Sequence, residues 1–221
     1  MKVILYGATG MVGAGVLLEC LEDAGIETVL AVGRRSSGIQ HAKVRDLVLE
    51  DLTNGAALGA AFAGYDACFF CLGVTSVGTV EATYTLVTHD FALAAGRALA
   101  AAHPGATFCL VTGLGTDSTE RGRSMWARVK GRTENDLLKL PLEAYMFRPG
   151  YIQPMKGVRS RTALYRTLYN IFRPLYPLLK QVAPGYVTTT VAIGRAMLAI
   201  ARSGYPQRIL GPREINEVAE G

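Results

Sequence analysis

Three glycines within seven residues, placed directly after a short aliphatic run, constrain this chain more than any other feature. Val3-Ile4-Leu5-Tyr6 reads as a buried strand, and Gly7-Ala-Thr-Gly10-Met-Val-Gly13 follows it at once and opens a stretch of helical period. A strand, a tight glycine turn and a helix in that order prepare a place for an anion, because the helix N-terminus presents unpaired amides and the positive end of its dipole. Gly7 is expected to turn the chain tightly, Gly10 to let the backbone approach a pyrophosphate, and Gly13 to let helix and strand pack closely. Thr9 can add a hydroxyl, and Met11 and Val12 complete the expected contact set. In this context the motif points to a dinucleotide.

The rest of the chain fits such a site. Short aliphatic runs alternate with longer stretches of helical period, the pattern of a parallel sheet covered on both faces. Strands are expected at Val3 to Tyr6, Thr28 to Val32, Val44 to Leu49, Ala67 to Leu72, Thr107 to Thr112 and Ala144 to Phe147, with helices in the gaps. The clearest helices are Met11 to Ala24 ended by Gly25, Thr83 to Ala102 ended before Pro104, and Met125 to Leu138 ended before Pro141. The fold class is therefore α/β, a Rossmann-type doubly wound parallel sheet with a small helical C-terminal subdomain. At 221 residues there is room for one well-buried domain with such an appendage and not for two large ones.

The choice of dinucleotide rests on the end of the second strand. Proteins specific for NAD place an acid there, about 20 residues past the glycine motif, to bind the ribose hydroxyls. Here Gly33 is followed by Arg34-Arg35. A guanidinium binds a 2′-phosphate through paired hydrogen bonds where an acid would repel it, so NADP(H) is expected over NAD. Residues 1–150 form the expected NADP-binding part, and residues 151–221 a short substrate or lid region packed on it in the same globular unit.

Two residues separate Gly7 from Gly10 and two separate Gly10 from Gly13, and that spacing resembles the extended and atypical branches of the short-chain dehydrogenase/reductase family. The resemblance runs from Met1 to about Pro154. Asp51-Leu52 looks like the family's adenine-contacting pair, Leu72-Gly73 ends the fourth strand beside the cofactor, and Arg148-Pro149-Gly150-Tyr151 resembles the turn that approaches the nicotinamide. The short C-terminal region and Val129-Lys130-Gly131 look most like the Tat-interacting-protein-like members. The resemblance implies cofactor contacts from Asp51, Leu52, Leu72, Gly73, Lys130, Pro149 and Tyr151.

Usual members of that family carry a Tyr and a Lys four residues apart, on one face of a helix, with a Ser or Thr after the fifth strand. The resembling residues here are Trp126, Lys130 and Thr112. Indole N–H donates a hydrogen bond but does not exchange a proton at neutral pH, so Trp126 cannot act as a general acid or base. Three readings remain. Lys130 and Thr112 serve a reductase in which Ser124, Tyr151 or Tyr84 relays the proton to a carbonyl substrate. Alternatively the chain binds NADP(H) as a sensor or scaffold without turning it over. Or the helix register is shifted and Trp126 belongs to the core. No Gly-x-Ser-x-Gly and no histidine pair is present, so hydrolase and metalloenzyme classes have no support. His41, His89 and His103 are scattered, and Asp117-Ser118-Thr119-Glu120 reads as a loop.

Charge is unevenly spread. From Ala144 to Arg213 stand eleven Lys or Arg and no Asp or Glu, which leaves the other residues net acidic. Such a one-sided field suits an anionic ligand, an acidic partner or a membrane face. Arg148, Lys156, Arg159 and Arg161 are expected to suit an acidic or phosphorylated substrate. Leu164, Leu168, Ile171, Leu175, Leu178 and Val182 form one apolar stripe, with Tyr165, Tyr169, Phe172 and Tyr176 beside it, and Pro174 and Pro177 interrupt the helix. The aromatic stripe could meet a protein partner or lie on anionic lipid. Nucleic acid is not expected, since the bases are spread over helices needed for packing. A last helix is expected over Val191 to Arg202, and an edge strand at Arg208 to Leu210.

The cysteines read as small core residues. Cys68 and Cys71 have zinc half-site spacing, but a strand turns them to opposite faces, and no metal is assigned. Met1-Lys2 leads straight into a strand-like run and no apolar run reaches transmembrane length, so a cytoplasmic chain, at most peripheral at a membrane, is expected.

Overall fold

The structure, a computed structural model, describes residues 1–158 and 184–221. Seven strands form one parallel sheet: β1 (Lys2–Tyr6), β2 (Thr28–Gly33), β3 (Val44–Val48), β4 (Ala67–Phe70), β5 (Thr107–Val111), β6 (Glu143–Phe147) and β9 (Ile209–Leu210), in the order β3-β2-β1-β4-β5-β6-β9. The order reverses between β1 and β4, and at such a switch point an open α/β sheet leaves a crevice beyond its strand ends. Tyr6 is level with Val32 on one side and with Phe70 on the other, so the turns after β1, β2 and β4 meet at one height. A separate parallel pair joins β7 (Tyr151–Gln153) to β8 (Val187–Thr189).

Alternate strand residues feed two cores, as a sheet covered on both faces requires. Ile4, Tyr6, Cys68, Phe70 and Phe108 pack with Leu58 and Phe62 of α2 (Gly55–Phe62) and with Ala95 and Leu99 of α4 (Phe91–Ala102). Val3, Leu5, Phe69 and Cys109 pack on the other face with Val16 and Leu17 of α1 (Met11–Glu22) and with Ile193, Met197 and Ile200 of α6 (Thr190–Ser203). Ile215 of α7 (Pro212–Glu220) joins the second core. Cys68 lies in the first core and Cys71 against the second, so they point away from each other.

Several element boundaries differ from expectation. Helix α1 stops at Glu22, because Asp23 takes extended backbone and spends its carboxylate on the Gly25 amide at 2.8 Å and on Arg202. The expected long helix after Thr83 begins earlier, as α3 (Glu81–Thr85), and runs through a π turn at Leu86–Asp90 before α4. The Phe91 amide there reaches back to the Leu86 carbonyl. His89 in that turn bridges Asp90 at 2.7 Å and Asp136 of α5 (Met125–Leu137) at 3.0 Å, a helix-packing contact. No helix fills the gap between β2 and β3; a loop crosses it. The expected apolar and aromatic stripes between Leu164 and Val182 lie outside the described residues, as do Arg159 and Arg161.

Candidate functional site

The glycine turn is fixed by contacts that leave no room for side chains. Gly7 has φ +79°, and a Cβ on it would stand 2.7 Å from the Cys71 carbonyl group. A Cβ on Gly13 would stand 2.1 Å from the Gly7 carbonyl oxygen, so the close approach of α1 to the turn depends on that hydrogen. Gly10 differs: its Cβ would meet only the Gly7 oxygen, at 3.3 Å. Gly10 is also the residue before α1, it offers no side-chain cap, and the first turn of α1 carries no acid. The leading amides of Met11, Val12 and Gly13 therefore point along the axis out of the helix, toward whatever anion lies at its end.

A cavity of about 640 Å³ opens beside this turn, lined by Gly7 and Thr9, by Gly33, Arg34 and Arg35 after β2, and by Glu50. The loop that carries the arginines is held from β3: Ser36 Oγ donates to Asp46 at 2.6 Å and the Ser37 amide to the same carboxylate at 3.0 Å. Asp51 and Leu52 sit differently from the resemblance. Leu52 is buried in the core below α2. Asp51 accepts the Thr53 hydroxyl at 2.6 Å and the Thr53 amide at 2.8 Å, bonds that hold its carboxyl below the usual range. Glu50 takes the place in the cavity wall, and sequence reasoning missed it.

A second cavity of about 450 Å³ shares Leu72 with the first and lies over the ends of β4, β5 and β6, with Gly73, Thr112, Trp126, Lys130 and Pro149 in its wall. Trp126 and Lys130 stand one turn apart on α5 and both face the cavity, so the helix register is the one the resemblance implies. Lys130 Nζ donates to the Thr112 carbonyl oxygen at 2.5 Å and lies 5.8 Å from the centre of the Trp126 ring. Burial pushes the Lys130 pKa down to about 8, with Glu134 pulling the other way.

The Thr112 hydroxyl does not point to a substrate. It donates to Glu134 Oε1 at 2.6 Å, and Glu134 is wholly buried. Arg148 clasps the same carboxylate, its Nε 3.1 Å from both oxygens, and also donates to Ser118 Oγ. Glu134 stands four residues after Lys130, and that spacing is the signal by which it could have been found. Of the proposed relays, Tyr151 donates its hydroxyl to Gln153 at 2.9 Å. Tyr84 is buried in α3, with its pKa raised by that burial, and Ser124 is exposed ahead of α5. None of the three lines either cavity.

The two cavities meet at Leu72 across the strand ends, with amides and glycines at the centre, two arginines at one end and, among the described residues, one lysine in the recess at the other. Those donors fit a dinucleotide phosphate with a nucleoside on each side. Known proteins agree. A family model described as NAD(P)H-binding matches residues 7–162. "Protein FMP52, mitochondrial" of Eremothecium gossypii is 31% identical over 212 residues, covering 92% of this chain and 89% of the relative. "Protein fmp52-2, mitochondrial" of Aspergillus oryzae is 28% identical over 204 residues, covering 90% and 85%. Among solved structures, the Bordetella bronchiseptica enzyme WbmF in complex with NAD+ superposes with a TM-score of 0.69 at 15% identity, over 99% of this chain and 77% of that one. Uronate dehydrogenase from Agrobacterium tumefaciens gives 0.65 at 15% identity, over 95% and 75%. At these identities the structures establish the shared fold. The expectation of a cytoplasmic chain is corrected by the first two relatives, both of which are named as mitochondrial proteins.

Proposed function

The chain belongs to the NAD(P)H-binding family, and from that premise we propose that it is an NADP(H)-dependent oxidoreductase of atypical short-chain dehydrogenase/reductase type that reduces a small carbonyl compound. The observation that carries the reading is the placing of Arg34 and Arg35 in the wall of the same cavity as Gly7 and Thr9. A ribose at that end of the groove would meet two guanidinium groups, and the single carboxylate of Glu50 offsets only one of them. That balance favours a 2′-phosphate.

The parts of the chain divide the remaining work. The first-turn amides of α1 hold the pyrophosphate, and Lys130 and Pro149 border the nicotinamide end. The bound cofactor, when reduced, supplies a hydride. Lys130 Nζ holds the exchangeable proton: among the described residues of that cavity, Trp126 cannot release one, burial pushes the Cys71 thiol well up, and the Thr112 hydroxyl is engaged by Glu134. Calorimetric titration with NADP+ and NAD+ tests the cofactor. NADP+ should bind about tenfold or more tightly, and Arg34→Ala should close most of that gap. Equal affinities in the parent chain would sink the assignment.

A second reading is favoured by Trp126 and by the engaged Thr112 hydroxyl: a protein that binds NADP(H) as a sensor or scaffold and does not turn it over. Following NADPH absorbance with a panel of aldehydes, ketones and quinones separates the two. Turnover that survives Trp126→Phe and falls in Lys130→Ala supports the reductase, whereas tight NADPH binding with no oxidation supports the binding protein. The names of the relatives suggest a mitochondrial setting for this chain as well.

A further inference from the structure

The basic C-terminal third suggested an acidic or phosphorylated substrate, but the described cations that were to recognise it are already engaged. Arg148 is held by buried Glu134. Lys156 pairs with Glu19 and Glu22 of α1. Arg195 also reaches Glu19, Arg202 reaches Asp23 and Arg208 reaches Glu143. These five described cations are thus answered by acids of the preceding part of the same chain. An anionic substrate recognised by these described cations would have to break one of the pairs, and taking Arg148 from Glu134 would leave a buried carboxylate without its partner, an expensive exchange.

Among the described residues, most of the side chains at the nicotinamide end are apolar. Val12, Leu72, Val111, Leu114, Trp126 and Ile152 are six of the thirteen described wall residues, and Lys130 is the one charged side chain among those thirteen. Leu114 keeps 44% of its surface exposed, and Val74, next to the lining residue Gly73, keeps 40%. Both lie beside a concave site, and small-molecule sites are lined mainly by such apolar side chains. The volume of about 450 Å³ lies in the range of small-molecule sites.

Resting on the proposed oxidoreductase reading, we infer that the substrate of this site is an uncharged carbonyl compound with an apolar body, its body against Leu114, Trp126 and Ile152 and its oxygen toward Lys130. With Lys130 taken by the carbonyl oxygen, the recess disfavours a carboxylate or phosphate on that body, because such a group would give up hydration and find no second cation among the described wall residues. Lys130 Nζ, held at the Thr112 carbonyl, offers the single strong donor, which matches a single acceptor oxygen.

The chain supplies its own reporter. Trp126 is the only tryptophan and lies in the recess, so displacement of water from the recess shifts its emission. The test is to titrate the full chain, in the presence and absence of saturating NADP+, with 2-octanone and with 7-oxooctanoate, two methyl ketones of equal chain length that differ by a terminal carboxylate. 2-Octanone should shift the Trp126 emission to the blue and bind about tenfold or more tightly than the keto acid. Leu114→Asp should weaken 2-octanone by a similar factor and narrow the difference between the two. The inference is overturned if the keto acid binds as tightly as 2-octanone or more so, or if NADP+ binds and neither ketone moves the Trp126 signal. A chain that binds 2-octanone with the stated preference but does not bind NADP+ would instead overturn the cofactor reading, so the two failures are distinct.

Discussion

Thr112 gives its hydroxyl proton to Glu134 at 2.6 Å, and Glu134 has no surface open to solvent. A buried carboxylate is stable only when its charge and its lone pairs are answered, and here Arg148 answers the charge while Thr112 takes one oxygen. The arrangement ties the end of β5 and the turn after β6 to α5. It therefore holds still the backbone on which Lys130, Pro149 and the recess depend.

Removing one partner should show this. Glu134→Ala strands the Arg148 guanidinium in the interior and should cost about 3–5 kcal/mol. Glu134→Gln keeps an acceptor for Thr112 and should cost less, about 1–3 kcal/mol. Urea denaturation checks both, with a lower midpoint at an unchanged slope. Equal small losses for the two variants would mean that the carboxylate is not the keystone of the recess.

Lys130 predicts a dependence of stability on pH. Burial lowers its pKa from 10.5 to about 8. Between those values the unfolded chain holds the proton and the folded chain does not, so stability rises with pH across that window. Below about pH 8 both states are protonated and the full cost of burying the ammonium is present; above 10.5 it is gone. Relative to Lys130→Met, the parent chain should gain up to about 3 kcal/mol from pH 8 to pH 10.5. Parallel denaturation series for the two proteins measure the difference directly, and a flat difference would contradict the buried position of Nζ.

The glycine turn and the succession of strands along the chain were legible because each has a local cause. Val3 to Tyr6 must be buried on both faces, and Gly7 must turn, so strand, turn and helix could be placed within a residue or two. Helix α2 was expected only as an unbounded filler of the gap after β3, and α7 was not expected at all, because their patterns are weak. Helix α2 buries only Leu58 and Phe62 and owes its start to the Asn54 side chain, which accepts from the Ala57 amide. Helix α7 buries Pro212 and Ile215, with Glu214 accepting from the Gly211 amide. At the site, Lys130 and Trp126 could be placed on one helix face from their spacing. Whether Thr112 pointed at a substrate could not, since its partner Glu134 lies 22 residues away and only tertiary packing joins them. The same holds for the described cations of the basic third, since Lys156, Arg148 and Arg208 find their anions on α1, α5 and β6.

Glu50 offers a test of charge balance at the adenosine end. Its carboxylate shares the cavity with Arg34 and Arg35, where it would repel a 2′-phosphate and leave an unphosphorylated ribose nearly indifferent. Glu50→Gln should therefore tighten NADP+ binding a few-fold, about 0.5–1 kcal/mol for an exposed pair, with little change for NAD+. Calorimetry in low salt and at 0.3 M salt checks the origin: the gain should shrink as screening increases. A loss of NADP+ affinity would show that Glu50 binds the ribose instead of opposing the phosphate.

Gly10 and Gly13 look alike in sequence and should fail in different ways. A Cβ on Gly13 would collide with the Gly7 carbonyl at 2.1 Å, with no flexible side chain to give way, so Gly13→Ala must push α1 off the turn. About 2–4 kcal/mol of stability should be lost, together with cofactor binding. A Cβ on Gly10 meets one backbone oxygen at 3.3 Å and otherwise projects toward the space the pyrophosphate needs. Gly10→Ala should fold with a melting temperature within a few degrees of the parent and lose dinucleotide affinity by about tenfold or more. Thermal melting and NADPH fluorescence on the two variants separate the roles. If Gly10→Ala bound NADPH as tightly as the parent chain, the pyrophosphate would have to lie away from the start of α1.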